Sequence, residues 1–218
     1  MEILRLKSET IDDCVSSALE VLRAGGVILY PTDTLYGLGA DALSDEAVAK
    51  VYAIKGREEM RPIHAIVADI EMAERYAELN DEARLLLKDL PTGKLTVISK
   101  KKDLNSGIAR GIDTFGFRIP DNDFCIALAR AFDGPITATS ANKSGAKPGQ
   151  TVPKILAQLG DAASDIGLVI DAGDPPAGGA EHQPSTVVDM TGDRPIIVRE
   201  GAISTPDLWN AIRVEQSE

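Results

Sequence analysis

The sequence predicts an α/β fold, a single-domain twisted mixed sheet with flanking helices. Short apolar runs such as Val27-Ile28-Leu29-Tyr30 and Ile136-Thr137-Ala138-Thr139 alternate with capped helical patterns along the chain. Aromatic residues make up 4% of a chain that is 44% hydrophobic, so the core rests on Val, Ile, Leu and Ala, as in sheets covered by helices. No repeat or composition break interrupts the 218 residues. Roughly seven to eight strands and six helices in mixed order then make one α/β domain.

The elements follow from local chemistry. Thr10 caps a first helix, with Asp13 completing a capping-box-like pair, and Ile11, Val15, Ala18, Leu19 and Leu22 share one face until Gly25-Gly26 stops it. After the strand Val27 to Tyr30 comes a hydroxyl-rich loop, Pro31 to Gly39. Ser44 caps a helix in which Val48, Val51 and Tyr52 share a face, and Lys55-Gly56-Arg57 sits on the turn that ends it. Pro62 to Val67 reads as a strand, Asp69 and Asn80 cap two short helices, and Leu95 to Ser99 is a strand followed by the solvated run Lys100-Lys101-Lys102.

Thr114 to Pro120 reads as a strand closed by proline, and Asp121 or Asp123 caps the helix running to Phe132. Ile136 to Thr139 leads into a second polar loop, Ser140 to Gly145, and a helix begins at Thr151-Val152-Pro153. Leu168 to Asp171 is a strand. Gly173 to Gln183 reads as a mobile loop. Ser185 to Asp189 and Ile196 to Arg199 form a hairpin around Thr191-Gly192-Asp193, and Thr205-Pro206 caps the last helix, which carries Trp209 and Ile212.

A net charge of −11 argues against an extended nucleic-acid footprint, which needs clustered Lys and Arg, although it allows a local basic pocket. The two cysteines, Cys14 and Cys125, fall in predicted helices as inert core thiols, and His64 and His182 lie too far apart in sequence for metal-ligand spacing. The sequence predicts a soluble cytoplasmic protein, because it shows neither a signal peptide nor a stretch of about 20 apolar residues.

Nucleophile elbow, Walker loop, dinucleotide fingerprint and zinc-protease motifs are all missing, so catalysis by positioning and charge stabilisation remains. Lys55, Arg57, Arg61, Lys94, Arg118 and Arg199 each adjoin a strand end or turn where a cleft would lie. As a set they suit a polyphosphate; singly, each reads rather as a solvated surface charge. The Pro31 to Gly39 loop, with Thr32, Asp33, Thr34 and Tyr36, is either a grip for a small polar ligand or a connection rich in turn formers.

The pair Lys55-Gly56-Arg57 and Ser140-Ala141-Asn142 resembles the Lys-x-Arg and Ser-x-Asn signature of the YrdC-type L-threonylcarbamoyladenylate synthases. Pro31-Thr32-Asp33-Thr34-Leu35-Tyr36-Gly37-Leu38, Phe117-Arg118-Ile119-Pro120, Pro184-Ser185-Thr186 and Val198-Arg199-Glu200-Gly201 are similar to further elements of that family, in family order from about residue 20 to 205. The resemblance implies a YrdC-like fold with a concave basic cleft, in the short single-domain form spanning residues 1–218. It also implies an enzyme joining L-threonine, bicarbonate and ATP into threonylcarbamoyl-AMP, with release of pyrophosphate. The product would feed threonylcarbamoyl-adenosine modification of tRNA through a downstream complex.

By matched position, Lys55 and Arg57 would be catalytic and hold the ATP phosphates, with Thr114, Ser140, Asn142 and Arg199 at the nucleotide. Thr32, Thr34, Tyr36, Arg118 and Ser185 would form the L-threonine site, Arg118 pairing with the carboxylate. Mg2+ would ride on the phosphates without a protein metal site. The chain departs from the family where Thr92-Gly93-Lys94 replaces the usual Pro-Gly-Pro and where Ile66 occupies a position that holds histidine in some relatives, leaving His64 as a weak substitute. Alternatives are a carbamoyl-adenylate-forming enzyme of hydrogenase-maturation type and a non-catalytic RNA-binding module; weak RNA binding is compatible with the synthase as well.

Overall fold

The computed structural model describes residues 1–6, 9–57, 62–173 and 183–213. In chain order the elements are β1 (Glu2–Arg5), α1 (Ile11–Arg23), β2 (Val27–Tyr30), β3 (Gly37–Gly39), α2 (Asp45–Lys55), β4 (His64–Ile66), α3 (Ile70–Glu74), β5 (Ala77–Glu78) and α4 (Asp81–Asp89). There follow β6 (Leu95–Lys101), β7 (Thr114–Arg118), α5 (Asp123–Phe132), β8 (Ile136–Ser140), α6 (Val152–Leu159), β9 (Ile166–Asp171), β10 (Thr186–Asp189), β11 (Ile196–Arg199) and α7 (Thr205–Arg213). The strands form one mixed sheet in the order β1-β9-β2-β3-β8-β4-β7-β6-β10-β11, with β5 beside β6.

Side chains alternate across each strand, so the sheet has two faces with different fates. On one, Val27, Leu29, Ala65, Val97, Phe115, Phe117 and Val188 pack in a large core with α2, α4, α6 and α7. On the other, Ile28, Tyr30, Ile66, Ile136, Leu168 and Ile170 pack beneath α1 and α5 through Cys14, Ala18, Leu22, Phe124 and Leu128. That second cover stops part-way across the sheet. Over β4, β7, β6 and β10 the same face carries His64, Gly116, Arg118 and Thr96, and it lines a pocket instead of a core.

The expected caps at Thr10, Ser44, Asp69 and Asn80 each accept a backbone N–H three residues on, a contact worth about 1 kcal/mol. Two others differ. Asn122, not Asp121 or Asp123, caps α5, and Ser204 accepts the Asp207 N–H ahead of Thr205 in α7.

Several strands also differ from expectation. Gly37–Gly39, expected as loop, is β3, because β2 and β8 flank it and satisfy its backbone. Glu2–Arg5 and Ala77–Glu78 are short strands at sheet margins. The strand expected from Pro62 shrinks to His64–Ile66, and Lys100 and Lys101 extend β6. Lys101 is tied down through Nζ to Asn105 Oδ1 at 3.2 Å and the Ala109 carbonyl at 3.1 Å, so it is not a merely solvated charge. Both cysteines are buried and free. Arg61, His182 and most of the expected loop Gly173 to Gln183 lie outside the described residues.

Candidate active site

The register of the sheet orders the residues along the uncovered face. His64 pairs with Ala138 of β8 on one side and lies opposite Gly116 of β7 on the other, while Ile66 pairs with Ile136 and Arg118 in the next same-face row. Ser140 and Thr114 belong to the row on the opposite side of His64. Same-face rows are about 7 Å apart along a strand. Thr114 and Ser140 therefore mark one end of the face, Arg118 the other, and His64 the middle.

A pocket of about 210 Å³ opens on this face. Thr32, Thr34, Tyr36, Arg57, Arg118, Ser140, Ser185 and Arg199, all expected from the sequence, line it. The β3 strand makes this possible, since Gly37 pairs with both Tyr30 and Ser140 and so locks the hydroxyl-rich loop against the Ser140 loop. The Ala141 N–H donates to the Tyr36 carbonyl at 2.8 Å and completes the join.

The loop hydroxyls are turned inward. Thr32 Oγ1 donates to the Leu35 carbonyl at 2.7 Å and accepts from the Thr34 and Leu35 N–H groups at 3.1 and 3.2 Å. It holds the loop in shape, as short hydroxyl side chains do in turns. Tyr36 reaches across the pocket wall, its hydroxyl accepting from the Ala172 N–H at 3.0 Å and lying 3.3 Å from Asp171 Oδ1.

Lys55, Asn142 and Thr114 do not reach the pocket wall. Lys55 is 3% exposed, and its Nζ donates to the Ser140 carbonyl, to the Asn142 carbonyl at 3.1 Å and to Asn142 Oδ1 at 3.3 Å. Asn142 is bound on every side: Oδ1 also accepts from Ser140 Oγ at 2.5 Å, and Nδ2 donates to the carbonyls of Lys143 and Ala146 at 2.9 and 2.6 Å. Burial, with help from nearby Arg57, lowers the Lys55 pKa to about 8. The Lys-x-Arg and Ser-x-Asn motifs are thus joined in a cross-braced unit that presents Ser140 to the pocket.

The other end is organised by charge. Arg118, buried, donates to Asp33 and to the Gly93 carbonyl. Gly93 replaces nothing casually: its φ is +80°, and a Cβ there would lie 2.1 Å from Asp33 Oδ2. Asp33, read as a possible ligand group, is instead the partner of Arg118, and burial raises its pKa more than Arg118 lowers it. Arg199 donates to the Ser185 carbonyl at 2.7 Å, and Ser185 Oγ lies 2.7 Å from Thr96 Oγ1.

Sequence reasoning missed Thr96 and Thr139 as lining residues and gave His64 little weight. For Thr96 and His64 the available signal was a polar residue on the open face of a short apolar strand; Thr139, on the opposite face of β8, carried none. Among the described residues no group of three His, Cys, Asp or Glu side chains is placed to hold a metal ion, and no helix is long and apolar enough to cross a membrane.

A family model covering Sua5, YciO and YrdC, described as telomere recombination, matches residues 20–201. The chain belongs to this YrdC family. The threonylcarbamoyl-AMP synthase of Bacillus subtilis is 36% identical over 198 residues, covering 89% of this chain and 55% of its own length. The putative threonylcarbamoyl-AMP synthase of Methanocaldococcus jannaschii is 37% identical over 179 residues, 82% of this chain and 81% of its own. In three dimensions the YrdC-like fold is shared with E. coli YciO (TM-score 0.79, 26% identity, 95% of this chain and 98% of that one). It is shared too with P. abyssi Sua5 in complex with L-threonine (TM-score 0.84, 29% identity, 97% of this chain and 60% of that one). The chain thus spans little more than half the length of some curated relatives.

Proposed function

We propose that this YrdC-family chain is a threonylcarbamoyl-AMP synthase, converting L-threonine, bicarbonate and ATP into threonylcarbamoyl-AMP, pyrophosphate and water. The observation that carries the reading is the convergence of Arg57, Arg118 and Arg199 on one hydroxyl-lined pocket that no carboxylate lines among the described residues. The names of the relatives and the L-threonine complex of the P. abyssi protein support it.

In this reading the concave pocket is a basic cleft with two ends. Arg118 spends Nη1 on Asp33 and Gly93, and the rest of its guanidinium fork takes the threonine carboxylate. Thr32, Thr34 and Tyr36 shape that end, beside Ser185. Arg57 and Arg199 take phosphate oxygens, Ser140 and Thr114 flank the nucleotide, and Lys55 with Asn142 sets the loop that presents Ser140.

The amine of threonine attacks the carbon of bicarbonate or carbon dioxide to give an N-carboxylate. One of its oxygens then forms a bond to the α-phosphorus as the bond to the β-phosphate bridge breaks and pyrophosphate leaves. Charge grows on phosphate oxygens, so guanidinium groups fixed beforehand supply the catalysis and no covalent nucleophile is needed. Any Mg2+ would be carried by the ATP phosphates and would supply charge neutralisation there, as the lining among the described residues offers hydroxyls but no carboxylate. The product is an activated carbamoyl donor, suited to a tRNA-modifying complex downstream, and such an enzyme works in the cytoplasm.

The test is pyrophosphate release. It should require ATP, bicarbonate and L-threonine together. Release driven by carbamoyl phosphate in place of threonine would assign the chain to the hydrogenase-maturation type of chemistry. Binding of tRNA at low salt without any turnover would make it an RNA-binding module.

A further inference from the structure

Ser185 belongs to a chain of contacts whose other members, Thr96 and Arg199, come from two different strands. Thr96, the second residue of β6, is 1% exposed, and its Oγ1 lies 2.7 Å from Ser185 Oγ. Arg199 of β11 reaches the same serine, its Nη2 donating to the Ser185 carbonyl at 2.7 Å and, at longer range, to Ser185 Oγ at 3.4 Å. All three residues line the pocket. Val97 pairs with Phe117, so Thr96 and Arg118 are the next residues along and stand side by side on the pocket face. Burial, and after it the charge of Arg118, lower the Arg199 pKa, so the two guanidinium groups share one field.

The backbone around Ser185 is held without the Thr96 hydroxyl. The Thr186 N–H donates to the Lys94 carbonyl at 2.9 Å, the Ala202 N–H donates to the Pro184 carbonyl at 2.9 Å, and Thr186 Oγ1 donates to the Ile203 carbonyl at 2.6 Å. What the Thr96 hydroxyl adds is a direction. A hydroxyl carries one proton and two lone pairs, whereas a guanidinium only donates. Arg199 and Thr96 together can fill both lone pairs of Ser185 Oγ, and the serine proton is then left for the pocket. The reverse polarity, with Ser185 donating to Thr96, would aim a serine lone pair at any anion that the two arginines attract. A β-branched side chain on a strand is stiff at χ1, which suits a residue that sets the direction of another.

We propose that Thr96 is a positioning residue: by donating to Ser185 Oγ it turns the serine proton into the pocket, where that proton bonds a carboxylate oxygen of the amino-acid substrate beside Arg118. This rests on the synthase reading and adds to it a residue that acts only through Ser185.

The test is a double-mutant cycle between Thr96→Val, which keeps the side-chain shape and removes the hydroxyl, and Ser185→Ala. Assays of pyrophosphate release give the KM for threonine and for ATP, and thermal melts confirm folding. Each single variant should raise the KM for threonine by about 10-fold or more and leave that for ATP within about twofold, as a lost hydrogen bond to a charged group implies. The double variant should be no worse than Ser185→Ala alone. Thr96→Ser, which keeps the donor, should bring the KM for threonine back to within about threefold of wild type. Losses that multiply in the double variant would show that Thr96 acts apart from Ser185 and overturn the assignment. An unchanged threonine KM in folded Thr96→Val, or an equal rise for both substrates, would do the same. If Thr96→Val does not fold, Thr96→Ala takes its place in the cycle, and a Thr96→Ser variant as impaired as Ser185→Ala overturns the assignment in either case. Wild type whose pyrophosphate release does not depend on L-threonine instead defeats the synthase reading, and this inference with it.

Discussion

Arg118 donates from a single nitrogen, Nη1, to both carboxylate oxygens of Asp33 at 3.1 Å, and the same nitrogen reaches the Gly93 carbonyl at 3.0 Å. Their side chains are only 8% and 11% exposed, so the pair is a buried one. Its value is orientation, since well-packed apolar replacements of buried ion pairs are often as stable, whereas removing one partner strands a charge.

Asp33→Ala should therefore destabilise the protein by about 3–5 kcal/mol in urea unfolding, and raise the KM for threonine well above that for ATP. A variant with wild-type stability and wild-type threonine KM would show that the pair does not position Arg118. The pH behaviour carries a sign of its own. Because the folded pKa of Asp33 lies above the ordinary 3.8, its contribution to stability falls as pH rises from about that value through the folded pKa. Asp33→Asn should flatten that part of the stability profile.

Gly93→Ala should cost more than about 1 kcal/mol, because alanine is strained at positive φ and its Cβ would strike Asp33. Removing the Asp33 side chain should not rescue it, because the same Cβ lies 2.8 Å from the Asp121 backbone N and the change strips Arg118 of its partner. Thermal melts of Gly93→Ala against wild type check the loss.

Lys55 connects the protein to pH near neutrality. Its folded pKa of about 8 lies below the ordinary 10.5, so the unfolded chain binds more protons between those values and stability rises with pH across that window. Activity should go the other way. As Lys55 loses its charge above about pH 8, its hold on the Ser140 and Asn142 carbonyls weakens, and kcat/KM for pyrophosphate release should decline. Lys55→Met should lower the rate at all pH values and remove this decline, and a decline that persists in Lys55→Met must come from another group.

Arg57→Ala and Arg199→Ala should each lower kcat/KM for ATP by about 10- to 100-fold, the loss expected for a charge-assisted hydrogen bond. Threonine binding measured without nucleotide should be nearly unchanged in Arg57→Ala. Equal losses for both substrates would place the arginines in a shared structural role.

Much of this architecture was legible. The cap residues Thr10, Ser44, Asp69 and Asn80 and the apolar runs at Val27 and Ile136 place their helices and strands, because the determining contacts lie within a few residues. β3 was not legible, since Gly37-Leu38-Gly39 has no strand propensity and is a strand only because two neighbours pair with it. The eight lining residues found in advance sit in polar loops or at strand ends, where a charge or hydroxyl stands out. Thr96 and His64 sit inside strands, where only the register shows which face is left uncovered.

By itself the sequence determined the mixed α/β class, most helix boundaries, the inert cysteines and the set of cations and hydroxyls from which a phosphate-handling site is built. These depend on local spacing and composition. Tertiary structure alone decided that α1 and α5 stop short of β7, that Asp33 belongs to Arg118 rather than to a ligand, that Lys55 braces the Ser140 loop, and that His64 faces the pocket with Gly116 beneath it. Those outcomes arise between residues some 50 to 90 positions apart in the chain, and pairing register and burial, which no local pattern carries, set them.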